Sequence, residues 1–390
     1  MIVRQFISWI RTASAGERAE ATRALARAWL ISDLSEDDRA AAEGALLMLL
    51  DDPSSLVRQA MAEVFARSAE APAAIVQGLS LDQASVALPI LEHSPLLIDA
   101  DLVDIVATGN SEMQCAIARR IGLPASVCAA IAEVGSAAAA LELIENAYAE
   151  LAPFSWDRIV ERHGHLAAIR ESMLVLEDLP GATRAALVAK LSETLAQFVV
   201  AKNWLSADRA GRVTNEARDR STLHIAARSK GDDMAGLVAH LRATSQLTAG
   251  LILRALLSGN LELFDAALAE LSGLPRQRVT ALIHDRGTTG LLALLRRAGL
   301  PESTFAAFRV ALDASHENGF VDDARGAARL RRRMVERVLT HCETDRGATE
   351  PLLILLRRFA TESARDDARQ FCDELVAEDA MTLDDDLIAA

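Results

Sequence analysis

Apolar residues recur at helical spacing on both sides of a tripeptide, Gly-Leu-Pro, that occurs at residues 122–124, 273–275 and 299–301. In every copy, one apolar residue lies six positions before the leucine, and two others lie four and seven positions after the proline. These residues are Ile117, Cys128 and Ile131 in the first copy, Leu268, Val279 and Leu282 in the second, and Leu294, Phe305 and Phe308 in the third. The last two positions share one helical face, so the pattern predicts a short helix on each side of the tripeptide.

The tripeptide has the chemistry of a junction between two helices. A glycine at a helix end adopts the left-handed conformation without steric penalty, and the apolar residue after it can fold back onto the preceding turn. Proline suits the first turn of the next helix, where its missing N–H is not needed. We therefore expect Gly122, Gly273 and Gly299 to end helices and the prolines that follow to open them.

The junctions belong to a longer internal repeat. Gly109 and Asn110 recur as Gly259 and Asn260, an offset of 259 − 109 = 150, and the second and third junctions lie 299 − 273 = 26 residues apart. Self-similarity at intervals of about 20–50 residues is typical of helical solenoids. A weaker copy at residues 178–180 carries Arg184 at an otherwise apolar position. Chance recurrence is the alternative, and the matching flanks weigh against it.

The fold class follows from the composition and these repeats. Aromatic residues make up only 4% of the 390 residues, and alternating strand patterns are hard to find. We predict an all-α fold, an α-solenoid of short HEAT- or armadillo-like helix pairs in two halves. The predicted segments are an N-terminal half at 1–154, a C-terminal half at 155–320, capping helices at 321–376 and an acidic tail at 377–390. Residues 1–13 predict an amphipathic end-cap helix, with a membrane-surface or partner-binding helix as the alternative.

Several short motifs in the first half of the chain carry a resemblance to a known family. They are Asp52-Pro53 with Val57-Arg58, Ser94-Pro95-Leu96-Leu97, Asp101-Leu102-Val103, and residues 116–120 (Ala-Ile-Ala-Arg-Arg). The chain resembles a family of bacterial proteins of unknown function, found mainly in alphaproteobacteria, over about residues 30–320. The resemblance implies HEAT-like helical repeats and a regulatory or scaffolding role, and it brings no catalytic residues.

Charge and cysteine content restrict the partners and the compartment. The net charge is −14, and the chain carries seven acids and no base from Asp373 onward. Since affinity for nucleic acid depends on Lys and Arg side chains that neutralise phosphates, this balance argues against nucleic-acid binding. No apolar run reaches the roughly 18 residues of a membrane-spanning helix. Four scattered cysteines, without a Cys-x-x-Cys pair or a signal peptide, favour a reducing cytoplasm.

No sequence motif of a known enzyme class is present, so we expect a protein that is not an enzyme and needs no cofactor or metal. The phosphate loop, the nucleophile turn and the His-Glu-x-x-His metal motif are all missing. His163 and His165 could supply two metal ligands beside Glu161, but a polar turn is the preferred interpretation. Cys128 shares its repeat position with apolar residues, which favours a place in the core.

Arginine pairs and one arginine cluster are the candidate binding residues. Arg119 and Arg120 hold the same place in their repeat as Arg296 and Arg297, shortly before the glycine. They could form a row that grips carboxylates or phosphates, or they could balance the negative ends of helices, which we favour. The cluster comprises Arg325, Arg329, Arg331, Arg332, Arg333 and Arg337. It could bind an acidic partner, a phosphate-bearing ligand or the acidic tail, or form a solvated helix face.

The function that we expect is a non-catalytic scaffold or regulatory adaptor that binds another protein, because stacked helix pairs present long surfaces to partners. A HEAT-like nucleic-acid-binding or DNA-repair protein is the alternative, and it would need a basic surface with aromatic residues for stacking. The sequence does not identify the partner, and it leaves a homodimer open.

Overall fold

The computed structural model describes residues 8–284, 288–318, 324–345 and 347–388. All regular secondary structure within these ranges is helical. Two compact units make up the chain, Met1–Leu179 and Pro180–Ala390. Within the described ranges there is no strand, and the only β-type pairing is an isolated bridge between Leu123 and Ala149. None of the described helices has the length and apolar character to cross a bilayer.

Eleven α-helices of the first unit lie entirely within the described residues. They are α1 (Ala15–Ile31), α2 (Glu36–Leu49), α3 (Ser55–Phe65), α4 (Ala73–Ser80), α5 (Ala84–His93), α6 (Asp99–Thr108), α7 (Ser111–Ala118), α8 (Ala125–Val134), α9 (Ala137–Glu145), α10 (Pro153–His163) and α11 (Ala167–Val175). The odd-numbered helices from α1 to α11 form one row, in which each helix packs against the next. Among the even-numbered helices, α2 packs against α4, α6 packs against α8, and α8 packs against both α6 and α10. Stacking every second helix in this way produces a two-layered solenoid, as predicted.

The second unit begins with a long helical hairpin and ends with two long helices. Its described elements are α12 (Gly181–Ala201), α13 (Ala207–Ala226), α14 (Asp232–Ala243), α15 (Ala249–Leu257), α16 (Leu261–Ser272), α17 (Arg276–His284), α18 (Thr288–Arg297), a 3-10 turn (Glu302–Thr304), α19 (Phe305–Asn318), α20 (Ala324–Thr344) and α21 (Glu350–Ile388). One core cluster of this unit contains residues from α15 to α21, and the rings of Phe264 and Phe308 lie 6.0 Å apart inside it.

The predicted junctions are confirmed at all three Gly-Leu-Pro sites. Gly122, Gly273 and Gly299 have φ angles of +70°, +68° and +73°, the left-handed region in which glycine is favoured. The apolar residues that flank each site are buried or half-buried. The prolines differ from the prediction by one position, because Pro124 and Pro275 come before the first helical residue instead of occupying it. Their carbonyls accept the first hydrogen bonds of the following helices, from the Cys128 and Val279 N–H groups among others.

The repeat at an offset of 150 residues has a structural counterpart. Asn110 and Asn260 are the N-caps of α7 and α16, and their side-chain oxygens accept hydrogen bonds from the backbone N–H groups of Met113 (3.0 Å) and Leu263 (3.1 Å). An N-cap side chain satisfies one of the N–H groups that the first helical turn leaves unpaired. The repeated residues therefore perform the same local task in both units.

Some predicted boundaries differ from those of the structure. The predicted division after residue 154 falls inside α10, and the two units separate after Leu179. Residues 377–390, which we predicted as a tail, are helical as far as Ile388, because α21 continues from the preceding segment. Most of the predicted end-cap helix at residues 1–13 lies outside the described residues, and residues 8–10 are helical.

Candidate functional site

Two of the four paired arginines bind the ends of neighbouring helices. The guanidinium of Arg120 donates to the carbonyls of Leu91 and Ser94, both at 2.7 Å, at the end of α5. Arg297 donates from Nε to the Ser272 carbonyl, at the end of α16, at 2.8 Å. A helix end leaves four carbonyls without intrahelical partners and carries partial negative charge. These arginines therefore balance a helix end, as we favoured, but the end belongs to another helix.

The same arrangement occurs at positions that the sequence analysis did not single out. Arg162 donates to the carbonyls of Ala132 (2.8 Å) and Gly135 (2.9 Å), at the end of α8. The side-chain amide of Asn146 donates to the carbonyl of Ala118, the last residue of α7, at 2.7 Å, and to that of Arg120 at 2.8 Å. Cross-capping between neighbouring helices is thus a recurrent device of the first unit.

The other two paired arginines form exposed ion pairs. Arg119 contacts Glu142, with its Nε 2.9 Å from Oε2, and Arg296 places its Nε 3.0 Å from Oε1 of Glu302. Exposed pairs of this kind contribute about 0–1 kcal/mol each. Since all four arginines have partners within the chain, the structure gives no support to a free row of guanidinium groups along one edge.

The arginine cluster of α20 divides into members with different surroundings. Arg332 pairs with Glu336 at 2.9 Å and with Asp367 of α21 at 3.1 Å, and Arg337 pairs with Glu317 at 3.1 Å. Arg329 and Arg333 are exposed, and the side chain of Arg325 lies outside the described residues. Of the described members of the cluster, Arg331 lines the cavity that is described next.

The cavity lies within the second unit, between α13, α15, α20 and α21, and has a volume of about 600 Å³. Its charged lining consists of four arginines and two carboxylates, which gives 4 − 2 = +2 in a chain whose net charge is −14. The charged residues are Arg220, Arg254, Arg331, Arg369, Glu362 and Asp366. Apolar side chains form another part of the wall, among them Leu223, Leu257, Val335 and Phe359, and uncharged polar residues such as Asn260 and Gln370 also line it.

Arg254 is the most buried charged residue of the cavity. It is only 6% exposed, its Nη1 lies 2.6 Å from Oε2 of Glu362, and its guanidinium lies 4.1 Å from the centre of the Phe359 ring. Its Nε is buried and has no hydrogen-bond partner among the described residues, and the Nε of Arg331 is in the same situation. A buried donor of a charged group without a partner is costly, and both of these cavity-lining arginines carry such a donor.

The carboxylates near the cavity have different proton affinities. Burial opposes ionisation of Glu362, but Arg254 and Arg220, the latter at 2.8 Å, outweigh it and hold the pKa of Glu362 below its usual value. Burial raises the pKa of Asp219, although Arg254 and Arg218 act in the opposite direction. Glu362 is thus an anion that partly neutralises two of the arginines, and the net positive charge of the lining remains.

The other candidate residues of the sequence analysis do not form a reactive site. His163 contacts the Gly135 carbonyl at 3.4 Å, and burial is the main cause that lowers its pKa. Cys128 is fully buried, and burial raises the pKa of its thiol to about 11, so it lies in the core. Within the described part of the chain, no group of three or more His, Cys, Asp or Glu side chains is placed to hold a metal ion.

The connection between α12 and α13 exposes apolar residues. Phe198 and Trp204 pack edge to face with ring centres 5.6 Å apart, yet they are 48% and 66% exposed. Leu195 and Val213, each within about two turns of the connection, are also exposed. We call Leu195, Phe198, Trp204 and Val213 the hairpin end.

The fold and the sites define an all-α helical-repeat protein with an arginine-lined cavity. The chain belongs to DUF2336, a family described as an uncharacterised protein conserved in bacteria, which matches residues 86–346. That segment runs from α5 through α20 and includes Arg254 and Arg331, whereas α21 lies beyond it. No curated protein and no solved structure matches the chain.

Proposed function

We propose that the protein is a non-catalytic scaffold or adaptor that binds another protein at the hairpin end. The exposure of Phe198 and Trp204 is the observation that carries this proposal. Aromatic side chains are enriched in the centres of protein interfaces, and contiguous apolar residues at a surface are typical of binding sites.

The charges around the hairpin end favour an acidic partner. Residues 190–213 contain four bases against two acids, so this segment carries 4 − 2 = +2 in a chain of net charge −14. The bases are Lys190, Lys202, Arg209 and Arg212. A partner that presents an acidic surface with apolar residues complements both features, whereas a second copy would bring two segments of the same sign together. We therefore assign this surface to a different protein and not to a homodimer.

Site-specific photocrosslinking in the native host tests the proposal. A photoreactive phenylalanine analogue replaces Trp204 in one variant and the exposed Asp37 of α2 in the control. We expect an adduct with another protein from position 204 only, and we expect the charge reversals Lys202→Glu and Arg209→Glu to abolish it. The circular dichroism spectrum of the variants with Lys202→Glu and Arg209→Glu should match that of the wild type, which would show that their helices are intact.

Three outcomes would overturn the proposal. An adduct of twice the chain mass would identify a second copy as the occupant. The absence of an adduct, or equal adducts from both positions, would remove the hairpin end as a docking site. Nucleic acid is the alternative partner for a positive segment with exposed aromatic rings, and a DNA-binding titration distinguishes it, because phosphate contacts give a steep dependence on salt.

A further inference from the structure

We propose that the cavity between α13, α15, α20 and α21 binds a small organic phosphate. The phosphate would contact Arg254 and Arg331, and the organic part would contact the apolar wall. This inference does not depend on the hairpin end, which lies at the opposite end of α13 from the cavity residues.

Two buried donors without partners make the cavity a built site. Arg254 is more than nine-tenths buried and belongs to α15, a helix whose other residues are mainly apolar. Its Nη1 is bound by Glu362, while its Nε, like that of Arg331, has no hydrogen-bond partner among the described residues. An unmade hydrogen bond of a buried charged group is destabilising, and anionic oxygens in the cavity would relieve that penalty.

The charge of the lining favours a phosphate over a single carboxylate. The charged side chains sum to +2. A phosphate monoester carries about −1.5 to −2 near neutral pH and offers three strong acceptor oxygens, so it matches this charge and can satisfy more than one guanidinium. A monocarboxylate would leave about one positive charge uncompensated.

The size and the walls of the cavity favour an organic phosphate over inorganic phosphate. The volume of about 600 Å³ falls within the range of pockets that enclose drug-sized ligands. Leu223, Leu257 and Val335 form an apolar surface beside the charged one. Burial of a ligand's apolar part there contributes affinity in proportion to its area. A nucleoside monophosphate or an aromatic phosphate has both parts.

Isothermal titration calorimetry with the full chain tests the inference. The probes are adenosine, guanosine and uridine 5′-monophosphates and phenyl phosphate, with inorganic phosphate and benzoate as comparisons. We expect at least one organic phosphate to bind at least about tenfold more tightly than either comparison. Arg331→Gln should weaken that binding about tenfold or more, because it removes a charged donor. Arg296→Gln, which alters an exposed ion pair outside the cavity, should leave it unchanged.

Several results would contradict the inference. If no organic phosphate binds at about 1 mM, or if Arg331→Gln binds as tightly as the wild type, the cavity is not a phosphate site. Equal affinity for inorganic phosphate would show that the apolar wall does not contribute, and preference for benzoate would replace phosphate with carboxylate. Arg369→Gln, at an exposed position of the lining, provides a second variant if Arg331→Gln does not fold.

Discussion

Arg119 and Arg120 are adjacent in sequence, but the structure places their guanidinium groups in different surroundings. Arg120 makes two hydrogen bonds of 2.7 Å to carbonyls at the end of α5, and burial lowers its pKa. Arg119 forms an exposed ion pair with Glu142. Arg120→Met keeps most of the aliphatic stem and removes only the guanidinium. Arg119→Met is a matched control one residue away.

The contacts of the two arginines determine how much stability each substitution should remove. A hydrogen bond with a charged donor contributes about 1.5–3 kcal/mol, so the loss of both bonds of Arg120 should cost about 3 kcal/mol. Loss of the exposed Arg119 pair should cost at most about 1 kcal/mol. Since about 1.4 kcal/mol corresponds to a factor of ten, opening of the α5 end should become about a hundredfold more frequent in Arg120→Met. In Arg119→Met it should rise by less than about fivefold.

Native-state hydrogen exchange with peptides that cover Ala84–His93 measures this opening directly. Exchange reports local opening free energies, so it does not require two-state unfolding of a chain that has two compact units. Cross-capping would be refuted as a source of stability if the two variants accelerated exchange equally. The same conclusion would follow if Arg120→Met left the α5 amides within a fewfold of their wild-type rates.

Substitutions at a glycine and an aspartate, and labelling of the thiols, test other parts of the fold. Gly273→Ala should destabilise the protein by about 1–2 kcal/mol, because alanine is strained at φ +68°. Gly44→Ala, in the interior of α2, should stabilise the protein by about 0.5–1 kcal/mol, because alanine is the better helix former. Thermal melts measure both changes. Burial opposes ionisation of Asp52, but hydrogen bonds from Arg18 and the Ser54 N–H outweigh it and lower its pKa. A lowered folded-state pKa contributes stability above the unfolded value of about 3.9 and loses it as the pH falls through the folded value, so Asp52→Asn should flatten the acid limb of the melting-temperature profile. A thiol reagent followed by mass spectrometry should label the exposed Cys372 in the native protein, and Cys128 only after unfolding.

Local features of the fold were predictable from the sequence, because their causes lie within a few residues. The left-handed glycines, the Asn N-caps and the apolar helix faces all depend on neighbours within one or two turns. The role of Arg120 was not predictable, because its acceptors lie 26 and 29 residues away in a helix whose position only the stacking order determines. The sequence repeat showed that Arg120 lies shortly before a helix-ending glycine. Only the packing of the helices shows that its guanidinium binds the end of α5.

The cavity was missed because four separate stretches of the chain form it, between residues 220 and 370. Only Arg331 was a candidate, as a member of a charge cluster. One signal in the sequence did point to the site, since Arg254 interrupts the apolar run Leu251–Leu257, and an arginine in such a run must lie buried or break the helix face. A buried charge in an apolar helix is a stronger indication of a site than a cluster of charges on an exposed face.

The effect on folding stability of removing the buried Arg254–Glu362 ion pair distinguishes a binding role of Arg254 from a structural one. Replacing a buried ion pair by apolar residues of similar size is often neutral or stabilising by about 1–4 kcal/mol. We therefore expect the double variant Arg254→Met with Glu362→Met to be at least as stable as the wild type in thermal melts, and to lose phosphate-monoester binding in calorimetry. If the variant were instead destabilised by several kcal/mol, the pair would be a packing element. The burial of Arg254 would then be explained without a ligand, and the cavity would lose its main support as a binding site.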